Sequence, residues 1–258
     1  MCNTCGCETS HSHEGLDHLT EKVIDASVNL MAHNDHIAAH NRKKFEQRNV
    51  LVINLMSSPG SGKTLLLEST IRHFRSKYKI AVIEGDLETE NDALRIRNVG
   101  AQAEQISTGS ACHLDATMVE KVLPRFSLNE LDVLFIENVG NLICPACFDL
   151  GQKFDVVLLS VPEGDDKPAK YPVMFRSADL MLLTKIDFLP VCQQFSTQRA
   201  ISSFRNIGNG APVIQTSCST SEGLGEWFEW LEGHIIGVRH SLISGSKSST
   251  TGHADVSR

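Results

Sequence analysis

Apolar residues collect along this chain in short continuous runs, separated by longer stretches in which they recur at helical spacing. The runs are VLVINLM at 50–56, KIAVIEG at 79–85, LDVLFIE at 131–137, DVVLLSV at 155–161, DLMLLT at 179–184 and PVIQTS at 212–217. Continuous apolar strands that alternate with helical segments belong to a parallel sheet covered on both faces. The pattern predicts an α/β fold, a mostly parallel sheet with helices on both sides. Upstream, Leu19, Val23, Val28, Leu30, Ile37 and Ala38 recur loosely at helical spacing and predict a helix or helix pair over residues 19–48. Residues 1–18 are polar and rich in Cys, His, Ser and Gly, and read as a flexible tail. Residues 241–258 are rich in Ser, Thr and Gly and read as a disordered one, leaving 49–240 as the folded domain.

Composition narrows the partners. Lys plus Arg number 24 against 31 Asp plus Glu, a formal net charge of -7 that opposes a broad basic surface for nucleic acid or an anionic membrane. No apolar run approaches the ~20 residues of a membrane span, and no secretory signal precedes the domain, so a cytoplasmic location is expected. Thiols stay reduced there, and the eight cysteines then read as metal ligands or ordinary thiols rather than a disulfide framework.

The first strand runs into SSPGSGKT at 57–64, and a helical run follows. Gly62, Lys63 and Thr64 fit the end of the phosphate-loop pattern G-x-x-x-x-G-K-[ST], while Ser57 occupies its first glycine position. Pro59, Gly60, Ser61 and Gly62 permit a tight loop whose amides, with the helix N-terminus, face an anion. Lys63 then reaches the β and γ phosphates and Thr64 ligates Mg²⁺. Asp86 and Glu137 end later strands, where such enzymes place acids for Mg²⁺ and the attacking water. A Gly-rich turn that binds nothing is the plainer alternative.

TKID at 184–187 is similar to the base-reading motif of GTPases. Asp187 accepts both guanine N–H donors in that motif, and the Lys185 stem covers the ring; Thr184 stands where Asn is commoner. Adenine offers no such pair of donors, so GTP and GDP are the expected nucleotides. Ser217 and Cys218, in TSCS at 216–219, fall where a second base-binding loop is expected.

Two groups of metal-binding residue types remain. Cys2, Cys5 and Cys7, with the α-amine of Met1, can converge on one ion, and either tetrahedral zinc or a square plane of Ni(II) suits them. His11, His13 and His18 offer weak additional ligation or are simply solvated. Cys112 and His113, expected at the start of the helix ACHLDATMV, form a second set with Cys144; water, Cys147 or a second subunit can complete it, and packing is the alternative. Cys192 reads as structural.

The combination MCNTCGC, SSPGSGKT, EGDLETENDALRI, STGSACHLDATMV, ENVGNLICPACFDLG, EGDDKPAKYP and TKIDFLP resembles the HypB family of hydrogenase nickel-incorporation GTPases, to about residue 236. The resemblance implies a P-loop fold of the SIMIBI type and Mg²⁺-dependent hydrolysis of GTP with slow intrinsic turnover. It implies a tight Ni(II) site at Cys2, Cys5, Cys7 and Met1, and a weaker Ni²⁺ or Zn²⁺ site at Cys112, His113 and Cys144 near a homodimer interface promoted by GTP or metal. Lys63, Thr64, Asp86, Glu137 and Asp187 match nucleotide and Mg²⁺ positions. Lys167 and Lys170 are similar to family lysines near the nucleotide or the dimer contact, with a solvated role the alternative. Accessory proteins and the hydrogenase large-subunit precursor are the implied partners. The competing readings are a urease-type nickel GTPase, disfavoured because Ala146 rather than His follows Cys144-Pro145, a passive nickel or zinc binder, and a small-molecule kinase, for which no acceptor pocket is visible.

Overall fold

The computed structural model describes residues 14–86, 91–109 and 111–245. Met1, Cys2, Cys5, Cys7, His11 and His13 lie outside the described residues, as do 246–258. In chain order the helices are α1 (Glu14–Arg48), α2 (Lys63–Phe74), α3 (Asn91–Asn98), α4 (Ala116–Val122), α5 (Lys167–Lys170), α6 (Pro172–Ser177), α7 (Thr197–Asn206) and α8 (Leu224–Gly245). The strands are β1 (Leu51–Ser57), β2 (Ile80–Asp86), β3 (Gln102–Ser107), β4 (Val133–Glu137), β5 (Phe154–Ser160), β6 (Leu180–Thr184) and β7 (Val213–Thr216).

All seven strands run parallel in the order β3-β2-β4-β1-β5-β6-β7. β1, β4 and β6 are buried along their whole length, which is why they read as unbroken apolar runs. On one face Leu66, Ile71 and Phe74 of α2 pack with Trp227, Leu231 and Ile235 of α8, and the Trp227 indole N–H donates to Thr70 Oγ1 at 2.8 Å. On the other, Phe45 of α1 and Val119 of α4 cover β1 and β4, while Phe175 and Phe204 cover β5 and β6. Chain direction across the sheet diverges at β1, and in open parallel sheets such a point opens a crevice beyond the carboxyl ends of the strands.

Four elements differ from the expectations. β3 was not among the predicted runs: it is an edge strand with only Ala103 buried, so its QAEQIS sequence carries no apolar signal. α1 is one helix, starting at Glu14 inside the expected tail, and α8 carries the helix to Gly245 across the expected boundary at 241. Cys112 and His113 lie before α4, not in its first turn; the helix is capped by Asp115, whose side chain accepts from the Met118 N–H.

Candidate functional site

The turn from β1 into α2 lies in that crevice. Gly62 takes φ 99°, ψ 23°, a left-handed conformation that an L side chain resists. Lys63 and Thr64 follow at the helix start, 8% and 7% exposed. Lys63 Nζ donates to Ser57 Oγ at 3.1 Å and lies 3.8 Å from Glu137 Oε1, while Thr64 Oγ1 donates to the same Glu137 oxygen at 3.0 Å. The serine in the first glycine position therefore holds the P-loop lysine.

Pro59, Gly60, Gly62, Lys63 and Thr64 line a cavity of about 520 Å³ together with Glu84, Asp86, Glu137, Gly140 and Lys185. A larger cavity, about 610 Å³, lies between α1 and the 145–153 segment and contains no P-loop residue. Size does not identify the anion site; the glycine-lysine turn does. Gly140 presses its backbone on Pro59: a Cβ there would sit 2.8 Å from Pro59 Cα and N.

Glu84 is the residue that motif reading misses. It lies in register with Glu137 across β2 and β4, and both are buried. Glu84 Oε1 and Glu137 Oε2 receive no hydrogen bond from any donor among the described residues. Burial, then the neighbouring Glu137, pushes the Glu84 carboxyl well above its usual range. Burial also raises Glu137, against the opposing pull of Lys63. Two buried carboxyls beside a threonine hydroxyl make an all-oxygen donor set of the kind a hard divalent cation takes, so Mg²⁺ fits this position. In the sequence Glu84 is a charge inside an apolar strand and the first residue of the stretch EGDLETENDALRI, which by itself gives it no role.

On the far side of the loop, Thr184 Oγ1 donates to Ser61 O at 2.8 Å and Lys185 Nζ to Gly60 O at 2.7 Å. Thr184, standing where Asn is commoner, thus braces the loop. Asp187 Oδ1 accepts from Ser217 Oγ at 2.6 Å, so TKID and TSCS do meet. Cys218 lies next to them with its thiol raised by burial, packed against the core. Lys170 is not brought to the cavity: it is exposed and pairs with Asp166 at 2.5 Å, while Lys167 Nζ stands 5.5 Å from the centre of the Tyr171 ring.

Cys112, His113 and Cys144 converge, their ligand atoms all within 4.8 Å of one another. Cys112 Sγ lies 3.0 Å from Cys144 Sγ and 3.9 Å from His113 Nδ1. The His113 ring stacks on Phe148 at 3.9 Å, and burial lowers its pKa, favouring the neutral, metal-binding form. Cys147 is exposed and stands outside the group. The segment from Glu137 to Cys144 joins this cluster to the phosphate cavity. Asn138 Oδ1 accepts from Leu114 N at 3.2 Å, and Asn141 Nδ2 donates to Cys112 O at 3.4 Å.

Residues 50–215 match the family model described as CobW/HypB/UreG, nucleotide-binding domain. The Escherichia coli K12 hydrogenase maturation factor HypB is 47% identical over 211 residues, 82% of this chain and 72% of that protein. The Helicobacter hepaticus hydrogenase/urease maturation factor HypB is 42% identical over 223 residues, 85% and 91% of the two chains. The crystal structure of Helicobacter pylori HypB in complex with nickel superposes with a TM-score of 0.74 at 38% identity, covering 85% of this chain and 99% of that one. No described helix is long and apolar enough to cross a membrane. Phosphate loop, TKID strand end and Cys-His-Cys cluster thus occur together in a chain that, by sequence and by fold, belongs to the HypB family of hydrogenase maturation factors.

Proposed function

We propose that this protein hydrolyses GTP to GDP and phosphate and uses the cycle to control a nickel ion destined for [NiFe]-hydrogenase. One observation carries the reading: Glu137, bonded to Thr64 in the phosphate cavity, begins the same short segment that hydrogen-bonds to Cys112 and ends at Cys144. Whatever occupies the phosphate site therefore acts on the frame of the metal ligands.

Each residue has a role in this scheme. The P-loop amides from Gly60 to Thr64 cradle the phosphates, and Lys63 leaves Ser57 and Glu137 to neutralise the β and γ oxygens. Thr64, Asp86 and Glu137 would hold Mg²⁺, with Glu84 beside them; the ion supplies charge neutralisation at the phosphates. Asp187, seated by Ser217, reads the guanine edge while Lys185 lies across the loop. Catalysis by positioning and electrostatics, with no covalent step, fits a slow intrinsic rate. Nickel is cargo, and two thiolates with a neutral imidazole suit Ni²⁺ or Zn²⁺. Cys2, Cys5, Cys7 and Met1 form a second, tighter site in the same scheme. Homodimerisation promoted by GTP or metal completes the open coordination, and delivery runs through hydrogenase accessory proteins to the large-subunit precursor, in the cytoplasm. The Helicobacter hepaticus relative's hydrogenase/urease name keeps urease maturation as a second reading, against which the sequence offers Cys144-Pro145-Ala146.

Phosphate release from GTP by the purified protein with Mg²⁺ tests the core of this proposal. Lys63→Ala is expected to lower turnover by about a hundredfold or more, the scale of a lost electrostatic contact to the transferring group. Unchanged turnover in Lys63→Ala, or no release by the wild type, rejects it.

A further inference from the structure

The scheme above gives no part to Glu163, yet four donors converge on its carboxylate. The residue ends a single 3-10 turn, Val161–Glu163, directly after β5. Its Oε1 accepts from Ser61 Oγ at 2.6 Å, Ser160 Oγ at 2.6 Å and the Ser160 N–H at 2.9 Å, and its Oε2 accepts from Ser58 Oγ. Capping its own turn requires Ser160 alone. Ser58 and Ser61 belong to the P-loop, about a hundred positions away in sequence.

We propose that Glu163 is a positioning residue for nucleotide binding, holding the P-loop in its phosphate-accepting shape by gathering the hydroxyls of Ser58 and Ser61 on the side away from the ligand. Pro59, Gly60, Gly62, Lys63 and Thr64 line the phosphate cavity, whereas Ser58 and Ser61 do not: the Ser58 hydroxyl meets Glu163, and the Ser61 hydroxyl lies between Glu163 Oε1 at 2.6 Å and the Ser58 carbonyl at 2.8 Å. A loop rich in glycine is floppy by itself, and fixing its conformation before the ligand arrives lowers the ordering cost of binding. Ser61 is fixed twice, its hydroxyl on Glu163 and its carbonyl on Thr184. The carboxylate is an anion near an anion site, a placement that makes sense only if its lone pairs are spent on these donors. Through Gly164 the same turn continues into α5, so the loop's shape is tied to the 164–171 segment.

This inference rests on the nucleotide reading, and one experiment separates the two. Wild type, Glu163→Ala, Glu163→Gln and a Ser58→Ala/Ser61→Ala double variant are compared in KM and kcat for GTP, alone and combined, with thermal midpoints recorded. Slow chemistry makes KM report binding. The expected result is a KM raised about tenfold or more in Glu163→Ala with kcat changed less than about threefold. Partial rescue is expected in Glu163→Gln, which keeps one acceptor oxygen, and the serine double variant should add little on the Glu163→Ala background. A KM that is unchanged or lowered, even with a reduced thermal midpoint, overturns the inference and leaves Glu163 a turn cap. A fully additive serine effect overturns it as well. Should Glu163→Ala fail to fold, Glu163→Gln against the serine variant decides by the same criteria. Failure of the wild type to turn over GTP rejects the nucleotide reading itself.

Discussion

Asp155 lies opposite Asn54 in the β1–β5 register, accepting from Asn54 Nδ2 at 2.8 Å and from Gln152 Nε2 at 3.0 Å. Burial nevertheless outweighs these bonds and lifts its pKa from 3.8 to about 6. A carboxyl raised on folding binds its proton more tightly in the native state. Its stabilising contribution is therefore fully present below pH 3.8 and is lost as pH rises through about 6. The full difference is at most about 3 kcal/mol. Asp155→Asn keeps an acceptor oxygen and cannot ionise, so the stability of this variant relative to wild type is expected to climb by up to that amount between pH 4 and 7. Urea midpoints across this range check it; a constant gap refutes it. Which residues were readable at this scale depended on motif. Lys63, Thr64, Glu137 and Asp187 stand at fixed spacing from glycines or strand ends, so chemistry and position are written together. Glu84 and Glu163 open the stretches EGDLETENDALRI and EGDDKPAKYP, yet only register and a loop crossing more than a hundred residues show their partners.

Among elements, the P-loop is shaped by what surrounds it more than by its own residues. Thr184 and Lys185 hold its carbonyls, and Gly140 from the segment after β4 lies flush against Pro59. Gly140→Ala inserts a methyl 2.8 Å from Pro59 backbone atoms, closer than real contacts allow, and backbone has little room to yield. Weaker GTP binding, by about tenfold or more, is the expected result, measured by equilibrium titration with a non-hydrolysable GTP analogue; wild-type affinity would show that the loops separate freely. Helices and strands with continuous or periodic apolar residues were legible, because burial on one or both faces writes its period into the chain. β3 was not, since an edge strand needs hydrogen bonds from one neighbour and little burial. The boundary before α4 was misplaced because Leu114, buried ahead of the Asp115 cap with Val119 and Val122, carries the apolar spacing past the helix start.

At the scale of the whole molecule, the segment from Glu137 to Cys144 joins the P-loop cavity to the cluster of Cys112, His113 and Cys144. Coupling through such a segment is reciprocal by thermodynamic necessity. A non-hydrolysable GTP analogue is expected to change Ni²⁺ affinity at Cys112, His113 and Cys144 by about fivefold or more, and Ni²⁺ to change analogue affinity by the same factor. Titration with Cys2, Cys5 and Cys7 replaced by Ala isolates this site, and Asn141→Ala, which removes the bond to Cys112 O, should reduce the coupling. Equal affinities with and without the analogue would refute it. The sequence by itself determined the layered α/β architecture, the glycine-lysine turn after β1 and the TKID strand end, because local spacing and apolar period are enough to specify each, and its motifs singled out Cys112, His113 and Cys144. Only the tertiary structure decided that Glu84 faces Glu137, that Glu163 holds two P-loop hydroxyls, that Lys170 stands apart from the phosphate cavity, and that Cys112 meets Cys144. These are contacts between strands and loops far apart in sequence, and sheet order and register, which no local pattern encodes, bring them within reach.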